Sequence, residues 1–260
     1  MRNITSPNTV YRILNLKKVE CSLNFRNPKL NPNLITGIMG MMGNKGGVAI
    51  RFQFYHTTIC VVNTHLAAHL TEFERRNQDF NDVYTNLKFS TFQPPLGVAS
   101  HDMVFWLGDL NYRFDDLSPD EVKQLSSMND FEKLNVHDQL NKQRGLGKTF
   151  KGFQESRPSF TPTYKFDPGS DEWDSSEKAR APAWCDRILW RGKNIEQRSY
   201  GCHPQLKLSD HKPVSSCFSL NVKVVNEERE KKVFEEIVRR LDREENESLP
   251  QVKLQKQEVI

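Results

Sequence analysis

From Gly37 onward the chain alternates between short apolar runs and compact polar stretches, and the spacing of the apolar residues predicts most of its elements. Val48, Ile50, Phe52 and Phe54 alternate with Ala49, Arg51 and Gln53, the period-two pattern of a strand with one apolar face. A turn at 55–57 returns the chain through Thr58–Asn63, which predicts an antiparallel hairpin. Phe73, Asn77, Phe80, Val83, Tyr84 and Leu87 then recur at helical spacing, with Glu72, Glu74, Arg75, Arg76 and Asp79 expected mainly on the wet side. After a loop over 88–100, Met103–Leu107 is an unbroken apolar run closed by Gly108, which reads as a strand buried on both faces. Ser118-Pro119-Asp120-Glu121 is a capping box with proline at the first helical position, so a helix starts there. Phe131–Leu140 predicts one further short helix. Residues 141–187 read as a long irregular segment, and Ile188–Trp190 and Val214–Val222 as strands. Beyond Asn226, Val233, Phe234, Ile237, Val238 and Leu241 form one stripe of an amphipathic helix that ends before Pro250.

The polar stretches sit where strands begin or end. Asp109 and Asn111 follow the central apolar run; if the backbone stays extended past Gly108, they share one side. A carboxylate there can activate water and an amide N–H can hydrogen-bond a developing oxyanion, although Gly-Asp-Leu-Asn is equally good turn chemistry. Asn63-Thr64-His65-Leu66 ends one strand, Trp184-Cys185-Asp186-Arg187 opens another, and Ser209-Asp210-His211-Lys212-Pro213 precedes a third. An Asp-His pair suits metal or phosphate chemistry. The glycine-rich stretch 37–47 carries Lys45 and could let backbone N–H groups approach a phosphate, but it lacks the P-loop spacing. In the irregular segment, Phe150, Phe153, Phe160, Tyr164, Phe166, Trp173 and Trp184 are interleaved with Lys165, Lys178, Arg180 and Arg187. So many aromatics argue against disorder, and the cations make this segment the candidate for binding an anionic substrate.

Composition adds bounds. A hydrophobic fraction of 37% with 16 Phe and 4 Trp supports a sizeable core. The net charge of +4 does not single out nucleic acid as a partner and is compatible with acidic substrates or an anionic membrane surface. The 5 cysteines have no Cys-x-x-Cys spacing, which points to reduced thiols in a cytoplasmic protein. No apolar stretch reaches the roughly 18 residues of a membrane span.

Taken in order, Met42-Gly43-Asn44-Lys45-Gly46-Gly47-Val48, Asn63-Thr64-His65-Leu66, Trp106-Leu107-Gly108-Asp109-Leu110-Asn111-Tyr112-Arg113, Pro182-Ala183-Trp184-Cys185-Asp186-Arg187-Ile188 and Ser209-Asp210-His211-Lys212-Pro213-Val214 resemble the motifs of inositol polyphosphate 5-phosphatases, in detail those of type II. The resemblance runs from about Gly37 to Leu249. It implies an α/β (α+β) sandwich of the DNase-I-like, endonuclease-exonuclease-phosphatase kind, with two mainly antiparallel sheets flanked by helices. It also implies magnesium-dependent removal of the 5-phosphate from phosphoinositides at a membrane surface. Residue by residue, Asp109 would be the base that activates water and Asn111 would stabilise the transition state. His65 and His211 would contact the scissile phosphate, Asp186 would orient His211, and Asp210 would sit beside the metal. Tyr164, Lys165, Lys178 and Arg180 would grip the neighbouring 4-phosphate, and Lys45 and Arg187 would also bind substrate. The family's proteins are cytoplasmic and peripheral to endosome, Golgi or plasma membranes, with protein partners engaged through domains outside this stretch.

The chain departs from that family at its start. Only 36 residues precede Gly37, without a Trp-Asn motif, and Glu20 is their sole acidic residue, in the wrong setting for the family's main magnesium ligand. The expectation is a divergent segment over 1–36, a catalytic domain over 37–222 lacking its first strands, and a helix and linker over 223–260. Two other readings stand beside this one: a catalytically impaired chain that binds anionic lipid or a partner, and a nuclease of the same superfamily.

Overall fold

Strand β7, Met103–Asp109, is the spine of the molecule, and its alternating side chains hold two layers together. The computed structural model describes residues 11–12, 35–36 and 45–248. The expectations for the remainder of 1–44, including Glu20, Cys21 and the glycines before Lys45, lie outside the described residues. In chain order the other elements are strands β1 (Tyr11–Arg12), β2 (Ile35–Thr36), β3 (Lys45–Phe54) and β4 (Thr57–His65), helix α1 (Phe73–Asn86), and short strands β5 (Lys88–Phe89) and β6 (Leu96–Gly97). Helices α2 (Pro119–Ser127), α3 (Phe131–His137) and α4 (Gln139–Gly145) come next, then strands β8 (Asp186–Gly192), β9 (Ile195–Cys202) and β10 (Val214–Leu220), and helix α5 (Glu227–Ser248).

Five strands form one sheet in the order β2-β3-β4-β7-β8, and three form a second in the order β1-β10-β9. Every pairing is antiparallel except β4 with β7. Because strand side chains alternate, Met103 and Phe105 point to one face of β7 while Val104 and Trp106 point to the other. On the first face Phe105 meets Phe218 of β10 with ring centroids 5.0 Å apart, and Trp190 of β8 meets the same ring at 5.2 Å. That contact joins the two sheets into the expected sandwich. On the second face Trp106 packs on Phe80 of α1, 4.9 Å away, and on Phe150, 5.5 Å away. Truncating a ring enclosed like this costs about 3–5 kcal/mol.

Several local expectations stand: the β3–β4 hairpin, α1, and the capping box of α2, in which Ser118 and Glu121 satisfy each other's backbone donors. Others are corrected. The helix expected over Phe131–Leu140 is two, because the Asp138 side chain accepts from the backbone of Asn141 and starts α4 anew. Strand β9 was not visible in the sequence: Ile-Glu-Gln-Arg-Ser-Tyr-Gly-Cys has no clean apolar face and pairs with β10 through a register shift at Cys217/Phe218. Arg76 and Asp79, expected on the wet side of α1, are buried. Arg76 donates to the carbonyls of Ala67 and His69 and to Gln139 Oε1, while Asp79 accepts from the backbone of Ala67. The two charges clamp the loop that follows His65. Phe150, Phe153, Phe160 and Trp184 are buried core residues that pin the irregular segment to the sandwich. Among the described cysteines, Cys60, Cys185, Cys202 and Cys217 are free thiols.

The chain divides into two compact units, Met1–Val222 and Lys223–Ile260. Within the second, α5 carries Val233, Phe234, Ile237, Val238 and Leu241 as exposed apolar residues. No helix among the described residues is long and apolar enough to cross a membrane.

Gly108 is where β7 comes closest to β4. Its φ is +132°, and a Cβ added there would lie 2.0 Å from the carbonyl oxygen of Thr64. Gly108→Ala is therefore expected to destabilise the chain by ~3 kcal/mol or more, read as a lowered urea midpoint. A variant with the parent's midpoint would contradict the register of β4 on β7.

Candidate active site

Three strands of the larger sheet end in one row. The parallel register of β4 on β7 sets His65 opposite Asp109, and the antiparallel register of β7 on β8 sets Asp109 opposite Asp186. Lys45 opens β3 one position from Gly46, which pairs with His65. Four polar side chains far apart in sequence are thus brought to one sheet edge by backbone pairing alone.

Asp109 is the centre of the row. Its Oδ2 lies 3.1 Å from His65 Nε2 and 4.0 Å from His211 Nε2. Its Oδ1 accepts a 3.0 Å hydrogen bond from the backbone N–H of Asn111. Burial pushes this carboxyl up, but the hydrogen bond from His65 and the charges of His211, His65 and Arg113 outweigh it and hold Asp109 below its ordinary value. The group is a carboxylate at neutral pH. Beside it, Lys45 Nζ lies 2.5 Å from His65 Nε2, and its desolvation lowers the affinity of the amine for its proton.

His211 is held from behind. Its Nδ1 lies 2.9 Å from Asp186 Oδ2, and the same oxygen accepts from the hydroxyl of Thr163 at 2.7 Å. With Nδ1 engaged, Nε2 is turned toward Asp109. Burial pulls the imidazole down, yet the hydrogen bond and charge of Asp186, with the charges of Asp109 and Asp210, raise it above its ordinary value. One wall of the site is the ring of Tyr164, whose centroid is 4.6 Å from that of His211.

Asn111 differs from the extended geometry expected of it. Strand β7 ends at Asp109, and Asn111 adopts φ +56° with its side chain turned back, Nδ2 donating to the carbonyl of Leu66 at 3.1 Å. The turn and the site are therefore the same object: the Asp109 carboxylate caps the turn that places Asn111. Arg113, which the sequence did not single out, donates to Asn111 Oδ1 at 2.5 Å and lies over the Tyr164 ring at 4.4 Å. Its signal was the basic residue closing Asp-Leu-Asn-Tyr-Arg, two positions beyond Asn111.

Three of the four cations of the basic segment lie on one loop. Arg180 donates to the hydroxyl of Tyr164 at 2.9 Å, Lys165 pairs with Asp174 at 3.3 Å, and Lys178 is exposed on the same loop. Arg187 does not join them. Alternation along β8 turns it away from Asp186 into the interior, where its fully buried guanidinium binds Asp138 at 2.9 Å and Glu155 at 2.7 Å. It is a buried structural cation rather than a substrate ligand. Asp210 adjoins His211, and its Oδ1 lies 3.3 Å from the hydroxyl of Ser209. Among the described residues no three His, Cys, Asp or Glu side chains form a group able to hold a metal ion.

A carboxylate flanked by two imidazoles, beside an asparagine turn and a basic-aromatic wall, is equipped to activate water against an anion. The endonuclease/exonuclease/phosphatase family 2 matches residues 26–217. The chain belongs to this family. Mouse type II inositol 1,4,5-trisphosphate 5-phosphatase is 58% identical over 226 residues, 86% of this chain and 23% of that protein. Synaptojanin of Caenorhabditis elegans is 41% identical over 84% of this chain and 20% of its own length. The chain therefore spans about a fifth of these relatives. Among solved structures, the inositol polyphosphate 5-phosphatase domain of a synaptojanin, in complex with inositol (1,4)-bisphosphate and calcium, is 40% identical. The match covers 79% of this chain and 60% of that one with a TM-score of 0.72. A Cimex nitrophorin, crystallised as a ferrous NO complex, is 27% identical with a TM-score of 0.56 over 69% of this chain and 61% of its own. The same fold thus accompanies unlike ligands, and an activity is decided by the site.

The Asp186–His211 contact can be tested directly in this family member. The folded His211 imidazole holds its proton above the ordinary range, so the contact contributes stability that is complete below pH ~6.5 and is lost as pH rises through the folded value. Asp186→Asn is expected to lower the His211 titration midpoint and flatten that pH dependence, measured by NMR of the histidine rings and by urea melts. An unchanged midpoint would break the assigned pairing.

Proposed function

We propose that this chain is the catalytic part of an inositol polyphosphate 5-phosphatase, hydrolysing the 5-phosphate of phosphoinositides such as phosphatidylinositol 4,5-bisphosphate. The observation that carries the proposal is the ionised Asp109 between His65 and His211, with Asn111 alongside and the Tyr164–Lys165–Lys178–Arg180 loop against it. The names of the relatives support the choice of substrate class.

In this reading Asp109 takes a proton from water as the water oxygen attacks phosphorus in line; the bond from phosphorus to the ring oxygen breaks on the far side, the departing oxygen takes a proton from solvent, and Asp109 returns its own to solvent. His211, aimed by Asp186 and with its charged form favoured by that carboxylate, and His65 donate to phosphoryl oxygens. The second N–H of Asn111 Nδ2, beyond the one given to Leu66, is available for the same charge. Tyr164, Lys165, Lys178 and Arg180 receive a neighbouring phosphate on the ring, a task suited to charge-assisted hydrogen bonds. The reading includes a divalent cation, magnesium, which when bound neutralises phosphoryl charge; the calcium ion of the synaptojanin structure supports it. The described residues do not assemble its ligands, and no step above passes through it. The lipid headgroup places the protein at a membrane surface, as a peripheral and not a spanning component.

The exposed cations Lys178 and Arg180 would also serve a second reading, in which the chain holds anionic headgroups without turning them over. Phosphate release from vesicles containing phosphatidylinositol 4,5-bisphosphate separates the two. The first reading expects release that needs added magnesium and falls about 10³-fold in Asp109→Asn. Vesicle binding with no release would favour the second, and turnover unchanged in Asp109→Asn would remove Asp109 from the role of base.

A further inference from the structure

The basic loop contains several carboxylates that the catalytic scheme does not use, and Asp174 is the buried one among them. Asp174 sits at its centre with a side chain only 1% exposed, while Ser175–Arg180 after it are all exposed. Two limbs meet there. Phe166 and Trp173 stack with centroids 4.3 Å apart, and the backbone of Asp174 donates to the carbonyl of Lys165 at 3.0 Å, closing a narrow ribbon. The chain then turns through 175–180 and returns to pair Ala183 with Tyr164.

The Asp174 carboxylate holds this turn from inside. Oδ1 lies 3.3 Å from Lys165 Nζ and accepts from the backbone N–H of Ser176 at 3.2 Å; Oδ2 accepts from the backbone N–H of Arg180 at 3.0 Å. Every one of these neighbours is a donor, which a carboxylate matches and an amide cannot, since an amide turns one NH2 toward an N–H. Burial pushes the carboxyl up, but the donors from Ser176, Arg180 and Lys165 outweigh it and hold it far below the usual carboxylate range. The consequence lies in the cations. Lys165 is anchored on one limb, Arg180 is fixed at its backbone on the other, and its guanidinium reaches the Tyr164 hydroxyl at 2.9 Å. Lys178 is carried on the turn between Ser176 and Arg180.

We propose that Asp174 is the positioning residue that assembles Lys165, Lys178 and Arg180 into a receptor for a second phosphate on the same ring as the one cleaved. It touches no substrate itself. The proposal rests on the phosphatase reading for the identity of the ligand, and it says why a carboxylate stands inside an anion-binding loop. Placed there for its charge alone, Asp174 would oppose the ligand; placed there to order three cations, it favours binding by removing their freedom beforehand.

The test is calorimetric binding to the whole chain of two probes, inositol 1,4-bisphosphate and inositol 1-phosphate, which differ only in the second phosphate. The parent chain is expected to prefer the bisphosphate by about tenfold or more, as fits charge-assisted contacts to one phosphate. Asp174→Asn and Asp174→Ala are expected to bring the two affinities to within about twofold of each other, with the monophosphate unchanged. Asp174→Asn conserves volume, and thermal melts identify the folded variants on which the ratio is read. A folded variant that keeps the preference overturns the proposal, as does one that binds the bisphosphate more tightly, because then the carboxylate only competes with the ligand. Equal losses for both probes also overturn it, since they mark general damage. Binding is read without turnover, so a failure of the hydrolytic role of Asp109 leaves this result independently legible.

Discussion

The site depends on one half-buried carboxylate being kept ionised. Desolvation pushes Asp109 toward its neutral form, and a neutral acid there would be a poorer acceptor for a proton from water. His65 and His211 reverse that tendency from two sides. Asp186 in turn favours the charged form of His211 and fixes its rotation. The result is a chain of alternating acid and imidazole, Asp186–His211–Asp109–His65, in which Asp186 favours the charged form of His211, and His211 and His65 favour the charged form of Asp109. Remote parts of the sequence must meet within hydrogen-bond reach for this to exist, so the scaffold is constrained by it.

The sheet supplies that constraint through register. A slip of one residue between β4 and β7 would turn every side chain to the opposite face and carry His65 away from Asp109. Gly108 lets the two backbones close to a distance no side chain permits. Behind the row, Arg187 joins α4, Glu155 and β8 through ion pairs made entirely in the interior. Breaking a pair of this kind typically costs about 3–5 kcal/mol because a charge is stranded, so the network fixes the segment on which Asp186 stands. Arg76 and Asp79 perform the equivalent service for the loop after His65.

Much of this was legible in the sequence, for physical reasons. Period-two alternation revealed β3 and β4, an unbroken apolar run revealed β7, and polar stretches at strand ends marked His65, Asp109, Asp186 and His211. What the sequence concealed was direction. Arg187 follows Lys165, Lys178 and Arg180 in one irregular segment and reads as a ligand, yet alternation next to Asp186 turns it inward. Arg76 and Asp79 are charged and read as solvated, yet each finds partners that make burial tolerable. Strand β9 has no apolar face of its own and exists because β10 pairs with it. Asn111 looked extended because Gly108 hides the bend that follows, and Arg113 and Asp174 matter only through contacts that no linear pattern encodes.

The central claim is that the imidazoles of His65 and His211 face one phosphate-binding pocket around Asp109. The most direct test is a titration of ring-labelled chain with inositol 1,4-bisphosphate, following both histidine signals by NMR, each assigned by a single His→Gln variant. The account predicts that the two signals move together along one saturation curve. Movement of one ring alone, or of neither while the ligand binds, would contradict it.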